Sequence, residues 1–157
     1  MTHPHFDTAP RSLSQPGSSR VRRPYLAARG AIIGVVALGG VLGAVARYEA
    51  MLAWPTRTGF PTVTLLINVI GSALIGVVMV LTNEVWIRQR LLRPFLGTGV
   101  LGGFTTFSGY TTDARHLIDR GRPAMALLYL AATVTTALVA VWLATTATRR
   151  LVTRRLR

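Results

Sequence analysis

The chain contains no cysteine and no lysine, and only five of its 157 residues are acidic. Without cysteine the protein has no disulfide, no cysteine-ligated metal and no thiol catalysis, while its redox compartment stays undetermined. Histidine is scarce as well. Two of the three histidines, His3 and His5, stand in an N-terminal tail, where such pairs are usually incidental.

Hydrophobic residues make up 50% of the chain and charged residues 15%, a composition that indicates one compact unit in a lipid bilayer. The net charge of +13 comes from 18 basic residues, all arginine, which lie almost entirely between or outside long apolar runs. This placement is typical of the flanks of membrane spans. A nucleic-acid partner is not expected, because it would need a basic face on a folded soluble surface.

Four apolar segments are each long enough to cross a bilayer, which takes about 20 residues. They run from about 26 to 53, from 62 to 82, from 91 to about 112 and from 123 to 147. We therefore predict an all-α membrane protein in which residues 25–148 form four transmembrane helices with short loops. Residues 1–24 are predicted to be a disordered basic tail, and residues 149–157 a second basic tail.

Arginine is distributed unevenly between the two ends of the predicted bundle. Thirteen arginines lie on the tail side, the end that holds both tails and the loop between the second and third segments. Four lie on the opposite side: Arg57, Arg115, Arg120 and Arg122. By the positive-inside rule, the protein is predicted to cross the plasma membrane several times with both termini in the cytoplasm.

The third segment lacks the composition of a regular lipid-facing helix. Glycines at positions 97, 99, 102, 103 and 109 surround Thr98, Thr105, Thr106 and Ser108. We expect the helix to break there. Irregular backbone at membrane depth persists only where it is buried in protein or where its freed polar groups coordinate an ion.

Polar side chains within the other segments need an explanation. Gly39, Gly43 and Arg47 follow one another at a spacing of four, which predicts a stripe where a neighbouring helix approaches closely. The arginine either snorkels to the interface or attracts anions into a vestibule. Asn68 stands inside an apolar run, where an amide either bonds across to another helix or donates to a passing anion.

Phe107 and Tyr110, three positions apart, either pack against neighbouring helices or present their electron-poor ring edges to an anion. Enzyme chemistry is not predicted at these positions. The span interiors hold no paired carboxylates, no cluster of metal-ligating side chains and no nucleophile with a nearby base.

Three stretches together resemble the signatures of the Fluc/CrcB family of fluoride channels. They are residues 39–48, 64–76 and 102–108, in the family's order over the first three segments. The resemblance implies a fluoride-selective channel subunit that lets cytoplasmic fluoride leave the cell passively. It also implies an antiparallel dimer with two fluoride paths along the interface and a structural Na⁺ ion at its centre.

The resemblance further implies roles for individual positions in the pore, the vestibule and the sodium site. The implied pore residues are Asn68, Phe107, Ser108 and Tyr110, and the vestibule arginine is Arg47. The backbone carbonyls of Gly102 and Thr105 would hold the sodium. Where the family usually has Ser-Thr-Phe, this chain has Ser108-Gly109-Tyr110, and Val63 stands where a glycine is usual, so one pore lining differs.

The sequence leaves two other functions open. One is a non-conducting or assembly subunit of such a channel, which the altered residues around Tyr110 would favour. Another is a small proton-coupled exporter, which would need a carboxylate in the middle of the membrane. The uneven distribution of arginine also affects which subunit can be the partner in the dimer. A chain that inserts in one orientation cannot form an antiparallel dimer with a second copy of itself. A heterodimer with a homologous subunit of opposite orientation is therefore an alternative to the homodimer.

Overall fold

The computed structural model describes residues 19–54 and 59–155, and every regular element in these ranges is helical. The prediction of an all-α protein is thereby confirmed for the described residues. In chain order the elements are α1 (Ser19–Ala53), α2 (Thr62–Glu84), a π-helical segment (Arg93–Leu101), α3 (Gly102–Phe104), α4 (Phe107–Asp119) and α5 (Pro123–Arg155).

The first and last helices extend into both predicted tails. Helix α1 begins at Ser19, within the predicted N-terminal tail, while residues 1–18 lie outside the described residues. Helix α5 continues to Arg155, through most of the predicted C-terminal tail. Residues with few apolar side chains add little packing. They can still continue a long helix, because each added residue forms one more backbone hydrogen bond.

The helices form two parallel pairs. Helix α2 packs on α5 at Gly76, where a Cβ would lie 2.8 Å from the Val141 carbonyl oxygen. Both helices end on the same side, since Arg149 Nε lies 3.1 Å from Glu84 Oε1. Helix α1 packs in the same parallel sense against the π-helical segment and α3. Both described ends of the chain therefore lie on the tail side.

Three described helices are long and apolar enough to span a bilayer: Arg29–Ala53, Thr62–Glu84 and Pro123–Arg154. The predicted third span is broken into the π-helical segment, α3 and α4. It still leads from the tail-side loop to the start of α5 on the opposite side, which makes it a fourth crossing. Large apolar side chains such as Leu128 and Trp142 are exposed, as lipid-facing residues are. The chain is a multi-pass membrane protein.

Glycines bring α1 into direct contact with the broken span. A Cβ on Gly39 would lie 2.6 Å from the Phe95 carbonyl oxygen, and one on Gly43 would lie 2.8 Å from the Phe104 amide nitrogen. The two backbones therefore touch, and the predicted interface along Gly39 and Gly43 is confirmed. The contact also separates the irregular backbone from lipid on this side.

Replacing Gly43 by alanine should destabilise the protein by roughly 1–3 kcal/mol, because an added methyl group must push two packed backbones apart. Gly40→Ala is the matched control, since a Cβ at this position of the same helix meets nothing within 4 Å. SDS titration of the purified variants in detergent micelles measures the free energy of unfolding. Equal stability of the two variants would contradict the close packing.

Candidate functional site

The third span loses its helical backbone at Thr105 and Thr106. Their dihedral angles, φ −75° with ψ 154° and φ −143° with ψ 126°, are those of extended chain. Helix α3 ends before these residues, and α4 begins directly after them at Phe107. The predicted helix break is thereby confirmed. It falls within the stretch of glycines and threonines on which the prediction rested.

The side chain of Asn68 reaches from α2 to this break. Its Nδ2 donates to the Thr106 carbonyl oxygen at 3.1 Å, and its Oδ1 accepts from the Thr106 amide at 2.9 Å. The amide thus satisfies both backbone groups of a residue that has no helical partners. The predicted bond across to another helix is present, and one Nδ2 hydrogen remains for a further acceptor.

The two threonines at the break also satisfy the adjoining helix ends. Thr106 caps α4, because its Oγ1 accepts from the Gly109 amide at 2.9 Å. Thr105 closes the preceding turn, with its amide and its Oγ1 each donating to the Leu101 carbonyl oxygen at 2.9 Å. The break therefore has a defined set of hydrogen bonds and a fixed geometry.

These bonds leave two backbone carbonyls without their usual helical donors. The Thr106 amide, which would bond to Gly102 in a continuous helix, goes to Asn68. The Gly109 amide goes to the Thr106 hydroxyl and not to the Thr105 carbonyl. Free carbonyl oxygens are the ligands that a hard cation takes, so the donor chemistry at Gly102 and Thr105 fits Na⁺. Two oxygens are too few to surround such an ion, so a single chain would supply only part of a sodium site.

A groove of about 240 Å³ opens beside the break, between α2, the broken span and α5. Its lining residues are Asn68, Ser72, Ile75, Thr105, Thr106, Phe107, Tyr110, Thr133, Val134 and Ala137. Toward the tail side it adjoins a second groove of about 330 Å³, which shares Ser72 and continues along apolar residues as far as Val141. A larger cavity of about 360 Å³ beside Trp54 and Phe104 has almost wholly apolar walls and offers no comparable set of donors.

Four aromatic rings form a row that begins at the groove, where Phe107 and Tyr110 line it. The ring centroids are 5.4 Å apart for Phe107 and Tyr110, 5.8 Å for Tyr110 and Tyr129, and 5.5 Å for Tyr129 and Phe60. Tyr129 is fully buried, and its hydroxyl donates to Asp113 Oδ2 at 3.4 Å, so this part of the row is fixed in place. Phe107 at the end of the row is 78% exposed, and the groove is open on that side.

The structure brings together three of the four predicted pore residues: Asn68, Phe107 and Tyr110 all line the groove. Ser108 is exposed and lies outside the lining, although its Oγ is 3.3 Å from Thr106 Oγ1. Arg47 lies half-buried on α1, beyond Gly43 on the same stripe, and does not line the groove.

Three polar lining residues had no assigned role in the sequence prediction: Ser72, Thr106 and Thr133. Ser72 follows Asn68 by one helical turn, so its place on the same face was readable from the spacing. Thr133 faces the groove from α5, and its Oγ1 donates to the Tyr129 carbonyl oxygen at 2.8 Å. Thr106 belongs to the predicted break, but its backbone bond to Asn68 depends on tertiary contact.

Comparison with known proteins places this fold in a family. Residues 34–145 match the family described as CrcB-like protein, Camphor Resistance (CrcB). The chain is 52% identical over 147 residues to Fluoride-specific ion channel FluC 1 of Streptomyces coelicolor, with 91% of this chain and 95% of the relative covered. It is 51% identical over 138 residues to FluC 2 of Streptomyces avermitilis, with 85% of each covered. It is 48% identical over 103 residues to FluC of Deinococcus radiodurans, with 63% and 80% covered. The matched range contains the break, the groove and the glycine contact, and the chain belongs to the CrcB family.

Proposed function

We propose that this chain is a subunit of a fluoride-selective channel that lets cytoplasmic fluoride leave the cell passively and so reduces its toxicity. The observation that carries the proposal is the groove, which neutral hydrogen-bond donors and two aromatic side chains line together. The relatives matched here are named fluoride-specific ion channels. A channel of this kind carries out no chemical reaction, so no enzymatic activity is proposed.

The groove suits a small, partly dehydrated anion because its lining has donors but no charged side chain. Asn68 keeps one Nδ2 hydrogen beyond its bond to Thr106, and the ring edges of Phe107 and Tyr110 carry weak positive potential. Such groups replace part of the ion's water without holding the ion strongly, and conduction requires both properties. In this proposal Arg47, outside the groove, raises the local concentration of anions without trapping them.

A second subunit completes the path in this proposal. A lone subunit would leave the open side of the groove, with its polar donors, against hydrocarbon, which is unfavourable. In an antiparallel dimer the partner covers that side. The free carbonyls of Gly102 and Thr105 would then meet those of the partner around a Na⁺ ion. When bound, the ion would supply a fixed positive charge that joins the two broken helices.

Fluoride efflux from liposomes tests the proposed function. The protein is purified from its native membrane so that any partner subunit is retained, and release is followed with fluoride- and chloride-selective electrodes. We expect rapid fluoride release and chloride release near background, because a larger ion does not fit between donors spaced for fluoride. Comparable chloride release would indicate a generic anion pore. Fluoride release no faster than from protein-free liposomes would favour a non-conducting subunit.

Phe107→Ile and Asn68→Ala should each lower fluoride efflux by about tenfold, the effect of losing one favourable contact to a charged ion. Phe95→Ile and Asn83→Ala are the matched controls, because they make the same changes at residues outside the groove. Gel filtration checks that every variant keeps the particle size of the wild type. Unchanged efflux in either groove variant would count against these residues as part of the pore.

The proposed orientation of the chain rests on its arginines, thirteen on the tail side against four on the opposite side. Leaving out Arg11, which stands far from the first span, changes the balance only to twelve against four. Insertion should therefore be almost wholly one way, with both termini in the cytoplasm. A chain fixed in one orientation needs a homologous partner of the opposite orientation to form an antiparallel dimer.

A reporter fused to the C-terminus, active only in the cytoplasm, tests this orientation in cells that express the chain alone. We expect full cytoplasmic signal, no signal from a matched reporter that is active only outside, and no restoration of fluoride efflux without the partner. Signal from both reporters together with restored efflux would contradict the heterodimer and support a homodimer of dual topology.

A further inference from the structure

Most polar side chains that line the groove already have their hydrogen bonds within the protein. Thr105 and Thr133 each donate their hydroxyl to a backbone carbonyl four residues earlier, at 2.9 and 2.8 Å. Asn68 binds both backbone groups of Thr106. The Thr106 hydroxyl accepts from the Gly109 amide and lies 3.3 Å from the Ser108 hydroxyl, with which it shares a hydrogen bond. These groups hold the break in shape, and apart from the second Nδ2 hydrogen of Asn68 their donors are engaged within the protein.

Two hydroxyl groups in the lining are different, those of Ser72 and Tyr110. Neither has a hydrogen-bond partner among the described residues, although both side chains are half-buried. No buried side-chain oxygen in the described part of the chain lacks a partner, so these two oxygens are accessible from outside the protein. Both residues line the groove, and each brings it an O–H donor that the fold does not use.

The two hydroxyls belong to opposite ends of the polar part of the groove. Tyr110 packs against Tyr129, toward the opposite side of the bundle. Ser72 lies one turn beyond Asn68 toward the tail side, and it also lines the second groove, where the other lining residues are Ile75, Val134, Ala137, Leu138 and Val141. An anion that comes along this apolar stretch therefore meets Ser72 as its first hydroxyl donor.

We propose that Ser72 and Tyr110 are the hydroxyl donors to the conducted anion, with Ser72 as the first donor from the tail side and Tyr110 as the last. The proposal rests on the proposed fluoride conduction and adds the residues that replace the ion's water along the groove. An O–H group that donates to an anion forms a short, charge-assisted hydrogen bond, and such bonds are strongest away from bulk water. Fluoride, the smallest halide, gains most from such a bond.

Two variants that each remove one oxygen atom test the proposal, Ser72→Ala and Tyr110→Phe. In the liposome efflux assay each should lower the fluoride rate by about tenfold while gel filtration stays unchanged. Thr136→Val is the matched control, because its hydroxyl donates to the Ala132 carbonyl at 2.6 Å and does not line the groove.

A second pair of variants separates the hydroxyl from the shape of the side chain. Ser72→Thr keeps the hydroxyl and should stay within about threefold of the wild-type rate, whereas Ser72→Val has the shape of threonine without the donor and should fall by about tenfold. This pair is informative even if the alanine variant is unstable. Equal rates for Ser72→Thr and Ser72→Val would overturn the role of the hydroxyl.

The outcomes distinguish this inference from the proposed function. If the wild type releases fluoride and either Ser72→Ala or Tyr110→Phe releases it at an unchanged rate, the inference is overturned and the channel function stands. The inference also fails if Thr136→Val loses as much activity as Ser72→Ala, because the loss then follows from helix packing. If the wild type itself releases no fluoride, the proposed function is overturned, and with it the inference.

Discussion

The two hydrogen bonds between the Asn68 side chain and the Thr106 backbone are the interaction on which the groove region depends. A peptide unit in extended conformation at membrane depth has lost its helical partners, and leaving it unsatisfied in hydrocarbon is costly. Because one amide satisfies both of its groups, α3 ends and α4 begins within two residues. The phase of α4, and with it the positions of Phe107 and Tyr110, is then set by the cap at Thr106.

Glycines on two neighbouring helices, α1 and α2, make room for the break in the third span. On α1, the backbone contact through Gly43 leaves no room for a lipid chain between the helices. On α2, a Cβ at Gly71 would overlap the Thr105 methyl group, so glycine at this position admits the side chain that closes the turn before the break. Asn68 and Gly71 are three residues apart on one helix face, and together they supply a hydrogen-bonding group and the space beside it. Irregular backbone thus stays enclosed in protein, as membranes require.

The sequence predicted the parts of this structure that depend on local composition. Four long apolar runs predicted four crossings, glycine density predicted the break, and a spacing of four predicted the contact along Gly39 and Gly43. Ser108 lies outside the groove lining because α4 starts anew at Phe107. The direction of its side chain depends on the cap at Thr106, which the sequence alone did not reveal. The π-helical start of the third span and the free hydroxyl of Ser72 likewise depend on which partners the neighbouring helices supply.

Among the described residues, no charged side chain lines the groove, and this bears on how the proposed channel would work. Two ion pairs in the described residues, Arg149 with Glu84 and Arg115 with Asp119, lie at the two ends of the bundle. A fixed cation beside a small anion in a low-dielectric groove would attract it strongly and delay its release. Neutral donors bind less tightly, and those already bonded within the protein keep the spacing of the site fixed. Selectivity would then come from the rigid spacing of the site. Rapid passage would come from the small number of donors left free. The same internal hydrogen bonds would therefore serve both selectivity and conduction.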